Sequence, residues 1–347
     1  MHAITFQAVG QVAYQRVDDP EIAAPGDAIV RVVRSAVCGS DLHPYHGRET
    51  GLDPGTVMGH EFLGRIVELG PEVRAFAIGD LVASPFSTAC GACDPCRRGL
   101  SARCISGALF GWVEGGRGLQ GAQAEYVRVP LADTTLVAVP ADLDLDVALL
   151  LGDVIPTGFY AARRAEVEPG ATIAILGCGP VGLAAILAAR AAGAERIYAV
   201  DAVRERLALA ADFGATPVEL DGRDVATRLR ESGASIASVI EAAGTPAATQ
   251  LALEIARPGG TIAAVAVHHE PHFAFSPVQA YDKNVTYRTG RCPARSLMPE
   301  LVRWARVHAA EAARLVTHRM PLASGSDAYA CFDSKRDGCI KLVFTID

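Results

Sequence analysis

The 347-residue sequence predicts an α/β protein in which a doubly wound parallel sheet is joined to a separate β-rich domain. Two observations carry this. Up to about residue 140 the chain alternates short β-branched segments with turns, the pattern of a barrel or sandwich. Beyond Leu145, apolar runs of about five residues alternate with longer Ala/Leu/Arg-rich segments, which is the pattern of βαβ units.

In the first region Ala28–Val37 and Phe62–Leu69 read as strands, followed by shorter ones at residues 80–84 and 125–129. In the second, strands are predicted at Thr172–Leu176, 196–200, 238–242, 261–267 and 284–289, with helices near 181–192, 203–213 and 246–256. The segment from Pro299 to Trp304 and a terminal strand over 341–346 return to the style of the first region. The expected division is therefore residues 1–151 with 291–347 as one domain and 152–290 as the other.

Composition excludes several functions. Half the residues are apolar, the formal charge is −7, and no block of Lys or Arg exists to follow a phosphate backbone, so nucleic acid is not an expected partner. The opening residues Met1 to Gln7 lack a basic stretch leading into an apolar one, and a cytoplasmic protein is expected. Residues 169–189 carry no charged side chain and approach the length of a membrane span. Pro180 and the glycines around it point instead to a buried strand running into a buried helix, so no membrane is expected.

Four of the nine cysteines, Cys90, Cys93, Cys96 and Cys104, fall within fifteen residues on a Gly/Pro-containing loop. Four thiolates neutralise Zn²⁺ and fill its tetrahedron, leaving no position for substrate, so this lobe reads as a structural zinc site. An iron–sulfur cluster and four unliganded thiols are the alternatives. A catalytic zinc needs ligands that leave a position open, and Cys38 and His60 are the candidates beside predicted strands. Taken singly, each also reads as a buried thiol or a turn histidine.

Gly177-Cys178-Gly179-Pro180-Val181-Gly182 directly follows the strand Thr172–Leu176 and opens an Ala-rich helix. In that context the first glycine allows a tight turn, the second lets the backbone approach a pyrophosphate, and the third allows close packing of helix on strand. The helix start, with Pro180 and Val181, favours the phosphate charge. Asp201 ends the next strand, where a carboxylate accepts both ribose hydroxyls and repels a 2′-phosphate, so NAD is expected over NADP. Arg204 and Arg206 lie close enough to receive a phosphate or to face solvent from the following helix. Thr245 and Val267, each at a strand end, stand where a Rossmann fold places adenosine and nicotinamide.

Cys38-Gly39-Ser40-Asp41-Leu42-His43, Gly59-His60-Glu61, the four-Cys lobe, Gly152-Asp153-Val154-Ile155-Pro156-Thr157-Gly158 and the glycine loop occur in one order along essentially the whole chain. The series resembles the zinc-containing medium-chain alcohol dehydrogenases. That resemblance implies a Rossmann domain plus a GroES-like catalytic domain, with NAD and two zinc ions per chain. It implies that Cys38, His60 and Asp153 hold the catalytic zinc and that Glu61 lies beside it as an alternative ligand. Many relatives carry Cys where this chain has Asp153. Ser40 matches the hydroxyl that hydrogen-bonds the substrate oxygen, and His43 the relay base beyond it. Lys341 resembles a basic position that reaches the pyrophosphate. The implied reaction passes a hydride between a small primary or secondary alcohol and NAD, giving an aldehyde or ketone, in a homodimer or homotetramer. A formaldehyde dehydrogenase or aldehyde dismutase, or a silent dinucleotide-binding member, are the alternatives. Phe86, Phe110, Trp112 and Ile155 are candidate pocket walls, and Cys178, Cys292, Cys331 and Cys339 read as unliganded thiols.

Overall fold

Apolar runs too continuous for a half-exposed strand are what a sheet covered on both faces requires. In the computed structural model, which describes residues 1–346, they form six parallel strands. Their order is Thr216–Glu219, Arg196–Asp201, Thr172–Leu176, Ile236–Glu241, Ala256–Ala264 and Thr286–Thr289. Ile173, Ala174 and Ile175 at its centre are wholly buried, and each fully buried aliphatic side chain of this kind contributes about 1.5–3 kcal/mol. Helices Pro180–Ala191, Arg204–Asp212 and Pro246–Ile255 follow their strands directly.

Three features depart from the sequence expectation. The strand expected over 261–267 spans Ala256–Ala264, so Val267 lies on the connection beyond it, 45% exposed. The strand Thr216–Glu219 escapes the pattern because it is short and carries Pro217; a strand at the sheet edge tolerates the missing donor. Helices Val225–Glu231 and Pro277–Lys283 lie in segments without clear apolar periodicity.

The β-rich part centres on a sheet of seven strands. Along its path run His318–Pro321, Leu342–Thr345, Ala28–Val37, Phe62–Leu69, Leu81–Ser84 and Val137–Ala138, while Tyr126–Val129 pairs with the start of Ala28–Val37. The last strand pairs antiparallel with Ala28–Val37, setting Leu342 opposite Val37. Phe62 and Phe110 meet edge to face at 5.1 Å in its core, beside the wholly buried Tyr329. Pro299 to Trp304, read from sequence only as a return to this region, belong to the helix Ala294–Ala313.

By contacts the chain divides into two units, Met1–Pro156 with the segment from Pro293 to the C-terminus, and Thr157–Cys292. Asp153 accordingly sits in the first unit. Residues 169–189 form the central strand and its helix, and among the described residues no helix is long and apolar enough to cross a membrane.

Candidate active site

Two neighbouring strands of the seven-stranded sheet bring the first donors together. Ala28–Val37 ends one residue before Cys38, and Phe62–Leu69 begins one residue after Glu61; their register sets Ser35 opposite Phe62. The Ser35 hydroxyl donates to the Glu61 carbonyl at 2.9 Å, locking the two ends in place. Cys38 then caps the short 3₁₀ turn Gly39–Asp41, its amide donating to Asp41 Oδ2 at 2.9 Å. Asp153 arrives just beyond the helix Leu145–Leu150, whose first turn is capped by the Asp144 carboxylate.

Cys38, His60, Glu61 and Asp153 present one ligand atom each, all within 4.8 Å of one another. Cys38 Sγ lies 3.6 Å from Asp153 Oδ2, and His60 Nε2 lies 3.6 Å from the same oxygen. The imidazole is turned this way by Asp41, whose Oδ1 is 3.2 Å from His60 Nδ1. Gln123 Nε2 donates to Asp41 Oδ2, and the buried Tyr329 hydroxyl donates to Gln123 Oε1 at 2.9 Å, so the orienting carboxylate is itself held. Burial pushes the Cys38 thiol up from its ordinary value. Burial also disfavours the His60 cation, but Asp41 and Cys38 outweigh it and hold the imidazole well above the usual range.

Glu61 is completely buried. Its Oε1 pairs with Lys341 Nζ at 2.5 Å, and that ammonium also donates to the Val37 carbonyl at 3.0 Å. Burial works against the Lys341 charge, but Glu61 beside it lifts the ammonium above the ordinary lysine range. Lys341, 1% exposed, is thus committed to the metal-ligand cluster and not to the pyrophosphate position suggested by resemblance. The other Glu61 oxygen, Oε2, is buried without a partner. A carboxylate oxygen orphaned among a thiol, an imidazole and a second carboxylate is a donor set that fits a zinc ion.

Ser40 Oγ lies 3.3 Å from His60 Nε2, at the edge of this cluster. His43, half-buried, follows on the short helix Leu42–Tyr45. His46 is drawn outward to Asp333 at 2.9 Å. Of the suggested pocket walls, Phe86 meets the His60 ring edge-on at 6.5 Å, Ile155 is wholly buried, and Trp112 is half-buried on a hairpin. Phe110 belongs to the core against Phe62.

The four-cysteine loop closes on itself, with all four sulfurs within 4.8 Å. Cys90 N donates to Cys104 Sγ at 3.1 Å and Cys93 N to Cys90 Sγ at 3.4 Å. Backbone amides of Ile105 and Cys96 hold Cys93 down at about 6, whereas burial and then Cys93 push Cys96 up to about 12. Amides aimed at sulfur favour the thiolate that a zinc ion requires.

In the other unit, Gly177 adopts φ +89°, and a Cβ on Gly182 would lie 1.9 Å from the Gly177 carbonyl, so neither tolerates a side chain. A Cβ on Gly179, at the start of the helix Pro180–Ala191, would meet nothing nearer than Arg206 Nη1 at 3.9 Å, leaving room above Pro180 and Val181 for a phosphate. Asp201 Oδ2 accepts from Cys178 N at 2.6 Å and Oδ1 from Val203 N at 2.8 Å. Arg206 Nη1 lies 3.7 Å from Asp201, and its buried Nε has no partner. A carboxylate has about four acceptor positions, so Asp201 keeps capacity for a ribose diol. Thr245 caps the helix Pro246–Ile255 by accepting from Ala248 N at 3.1 Å.

Sequence reading missed Asp41, Gln123, Tyr329 and the pairing of Lys341 with Glu61 around the metal donors. It also missed Glu241, which is wholly buried at the end of its strand and accepts from Ala243 N, Gly244 N and the His268 ring, the last at 2.9 Å. A charged residue ending an otherwise apolar strand was the available signal.

Residues 24–141 match the alcohol dehydrogenase GroES-like domain and residues 180–306 the zinc-binding dehydrogenase family. Zinc-type alcohol dehydrogenase B of Aspergillus flavus is 36% identical over 346 residues, spanning 97% of this chain and 79% of the relative. The solved structure of the alcohol dehydrogenase TADH from Thermus sp. ATN1 superposes with a TM-score of 0.93 at 35% identity, over 100% of both chains. A glutathione-independent formaldehyde dehydrogenase of Pseudomonas aeruginosa is 39% identical over 227 residues, 61% of this chain and 56% of the relative. The chain belongs to the zinc-type alcohol dehydrogenases of the medium-chain family, which are oxidoreductases.

Proposed function

We propose that the chain is an NAD-dependent alcohol dehydrogenase that interconverts a small primary or secondary alcohol and its aldehyde or ketone. The observation that carries the reading is the cluster of Cys38, His60, Glu61 and Asp153 donors, with one buried carboxylate oxygen lacking any partner. Cys38, His60 and Asp153 would hold a catalytic zinc, and Cys90, Cys93, Cys96 and Cys104 a structural one. Bound at the first site, zinc supplies a Lewis acid that eases loss of the substrate hydroxyl proton, and NAD is the hydride acceptor.

The residues around the site supply the remainder. Asp41 fixes the His60 tautomer so that Nε2 carries the lone pair. The Ser40 hydroxyl hydrogen-bonds the substrate oxygen and takes its proton as it gives up its own, and the His43 imidazole passes the proton onward. In the nucleotide unit Gly177, Gly179 and Gly182, with the amides of Pro180–Ala191 beyond Val181, receive the pyrophosphate. Asp201 holds the ribose hydroxyls and Arg206 lies against the same edge, with Thr245 and Val267 lining the adenosine and nicotinamide positions. A cytoplasmic homodimer or homotetramer completes the reading.

The experiment is a kinetic panel of primary, secondary, aromatic and polyhydroxy alcohols with NAD, run beside zinc analysis and a Cys38→Ser variant. Alcohol-dependent NADH formation, abolished in a Cys38→Ser chain that melts within a few degrees of wild type, is expected. No oxidation of any alcohol by zinc-replete protein would refute it. The partial likeness to a formaldehyde dehydrogenase supports a second reading, an enzyme of the formaldehyde dehydrogenase or aldehyde dismutase type, which NAD retention through gel filtration would favour.

A further inference from the structure

A third group of donors shares no residue with either cluster. His318 opens the edge strand His318–Pro321, Cys331 lies in the helix Gly325–Ser334, and Cys339 follows the turn Arg336–Gly338 just before the strand Leu342–Thr345. These three side chains also present one ligand atom each within 4.8 Å of one another. Both cysteines are 1% exposed, while the histidine is half-buried.

We propose that His318, Cys331 and Cys339 form a further zinc site, separate from the catalytic and lobe positions, that ties the C-terminal strand to the helix before it. Around a tetrahedral ion with Zn–S about 2.3 Å and Zn–N about 2.0–2.1 Å, ligand atoms stand roughly 3.3–3.8 Å apart, so closure needs at most about an ångström of movement. Two thiolates balance the ion's charge once their two protons pass to solvent, and a mixed sulfur and imidazole set suits zinc.

The backbone already holds the donors. Left-handed Lys335 and Asp337, at φ +56° and +53°, turn the chain so that Cys339 returns beside the helix that carries Cys331. The Arg336 carbonyl accepts from Cys339 N at 3.0 Å and lies 3.8 Å from Cys331 Sγ. Thr317 Oγ1 accepts from Ile340 N at 2.9 Å and from Lys341 N at 3.3 Å, which pins it to the chain just after Cys339. The same oxygen meets His318 Nδ1 at 3.0 Å, so the imidazole is held against that turn. A hydrogen bond at one ring nitrogen leaves the other for the ion, the way a histidine ligand is commonly braced. A water would complete the tetrahedron.

The test is zinc content per chain of full-length protein, equilibrated in zinc-buffered, reducing solution and freed of loose metal by gel filtration. Wild type is compared with His318→Asn and with the double variant Cys331→Ala/Cys339→Ala. Loss of one equivalent in both is expected; only the difference from wild type is read, so occupancy of the other two sites does not enter. Should the cysteine variant fail to fold, the half-buried His318→Asn variant decides alone. Equal zinc in wild type and His318→Asn would overturn the proposal. Recovery of Cys331 and Cys339 as a disulfide from protein kept under those reducing conditions would do the same.

Discussion

Replacing Asp41 by Asn tests whether His60 is a metal ligand without touching any donor atom. Asp41 is 5% exposed, and its two oxygens have separate tasks: Oδ2 receives Cys38 N and Gln123 Nε2, and Oδ1 faces His60 Nδ1 at 3.2 Å. An asparagine would keep its single oxygen toward the two donors, which turns its NH₂ group toward Nδ1. Two N–H groups cannot face each other, so the imidazole would move its proton to Nε2, the nitrogen aimed at Asp153 and Cys38. The variant therefore loses one charge-assisted hydrogen bond, worth about 1.5–3 kcal/mol, in the metal-bound state. At 1.4 kcal/mol per tenfold, zinc should bind about 10 to 150 times more weakly. Competition with a chromophoric chelator on the full chain reads this directly, and the release phase missing from Cys38→Ser identifies the relevant ion. An unchanged affinity in that phase, with melting preserved, would show that Asp41 does not set the imidazole.

Three further outcomes follow from the geometry. Lys341→Ala leaves the buried Glu61 carboxylate without its partner and should cost about 3–5 kcal/mol of stability by denaturant unfolding; a loss under 1 kcal/mol would mean the pair is not formed. Asp201→Asn removes the charge facing a 2′-phosphate, a change of about 1–2 kcal/mol after solvent screening, so the NADP-to-NAD ratio of kcat/KM should rise about 5- to 30-fold; an unchanged ratio would remove Asp201 from cofactor selection. The hydrogen bond to Glu241 raises His268 above its ordinary value of 6.5, so the contact's stabilisation is full below that value and fades as pH rises through the folded-state one. The Tm difference between wild type and His268→Asn should shrink with rising pH, and a gap that widens would contradict the assignment.

What the sequence disclosed was local. The four-cysteine lobe and the glycine loop each lie in one short stretch whose spacing states the chemistry. Cys38 and His60 were visible as candidates beside strands, but only resemblance joined Asp153 to them, because no periodicity links residues 115 apart. Asp41 is adjacent in sequence to Ser40, yet its role emerges only when the neighbouring strand delivers His60. Val267 was misplaced because the apolar run continues past Ala264, while the backbone there turns away toward the His268 contact with Glu241. Lys341 meets Glu61 across 280 positions, through register between a terminal strand and an early one.

That last pairing bears on biosynthesis. The partner strand of Ala28–Val37 and the ammonium that balances Glu61 are made only after the whole of the intervening unit. At about 5–20 residues per second, a ribosome needs roughly 10–40 s after Pro156 to deliver them. During that interval the intervening βαβ segment can mature by itself, while Cys38 and the lobe thiols wait on an unfinished sheet, open to premature oxidation or to the wrong cation. Metal loading at the Cys38 cluster is therefore expected to be a late event, completed only once the strand Leu342–Thr345 has been made and zipped into place.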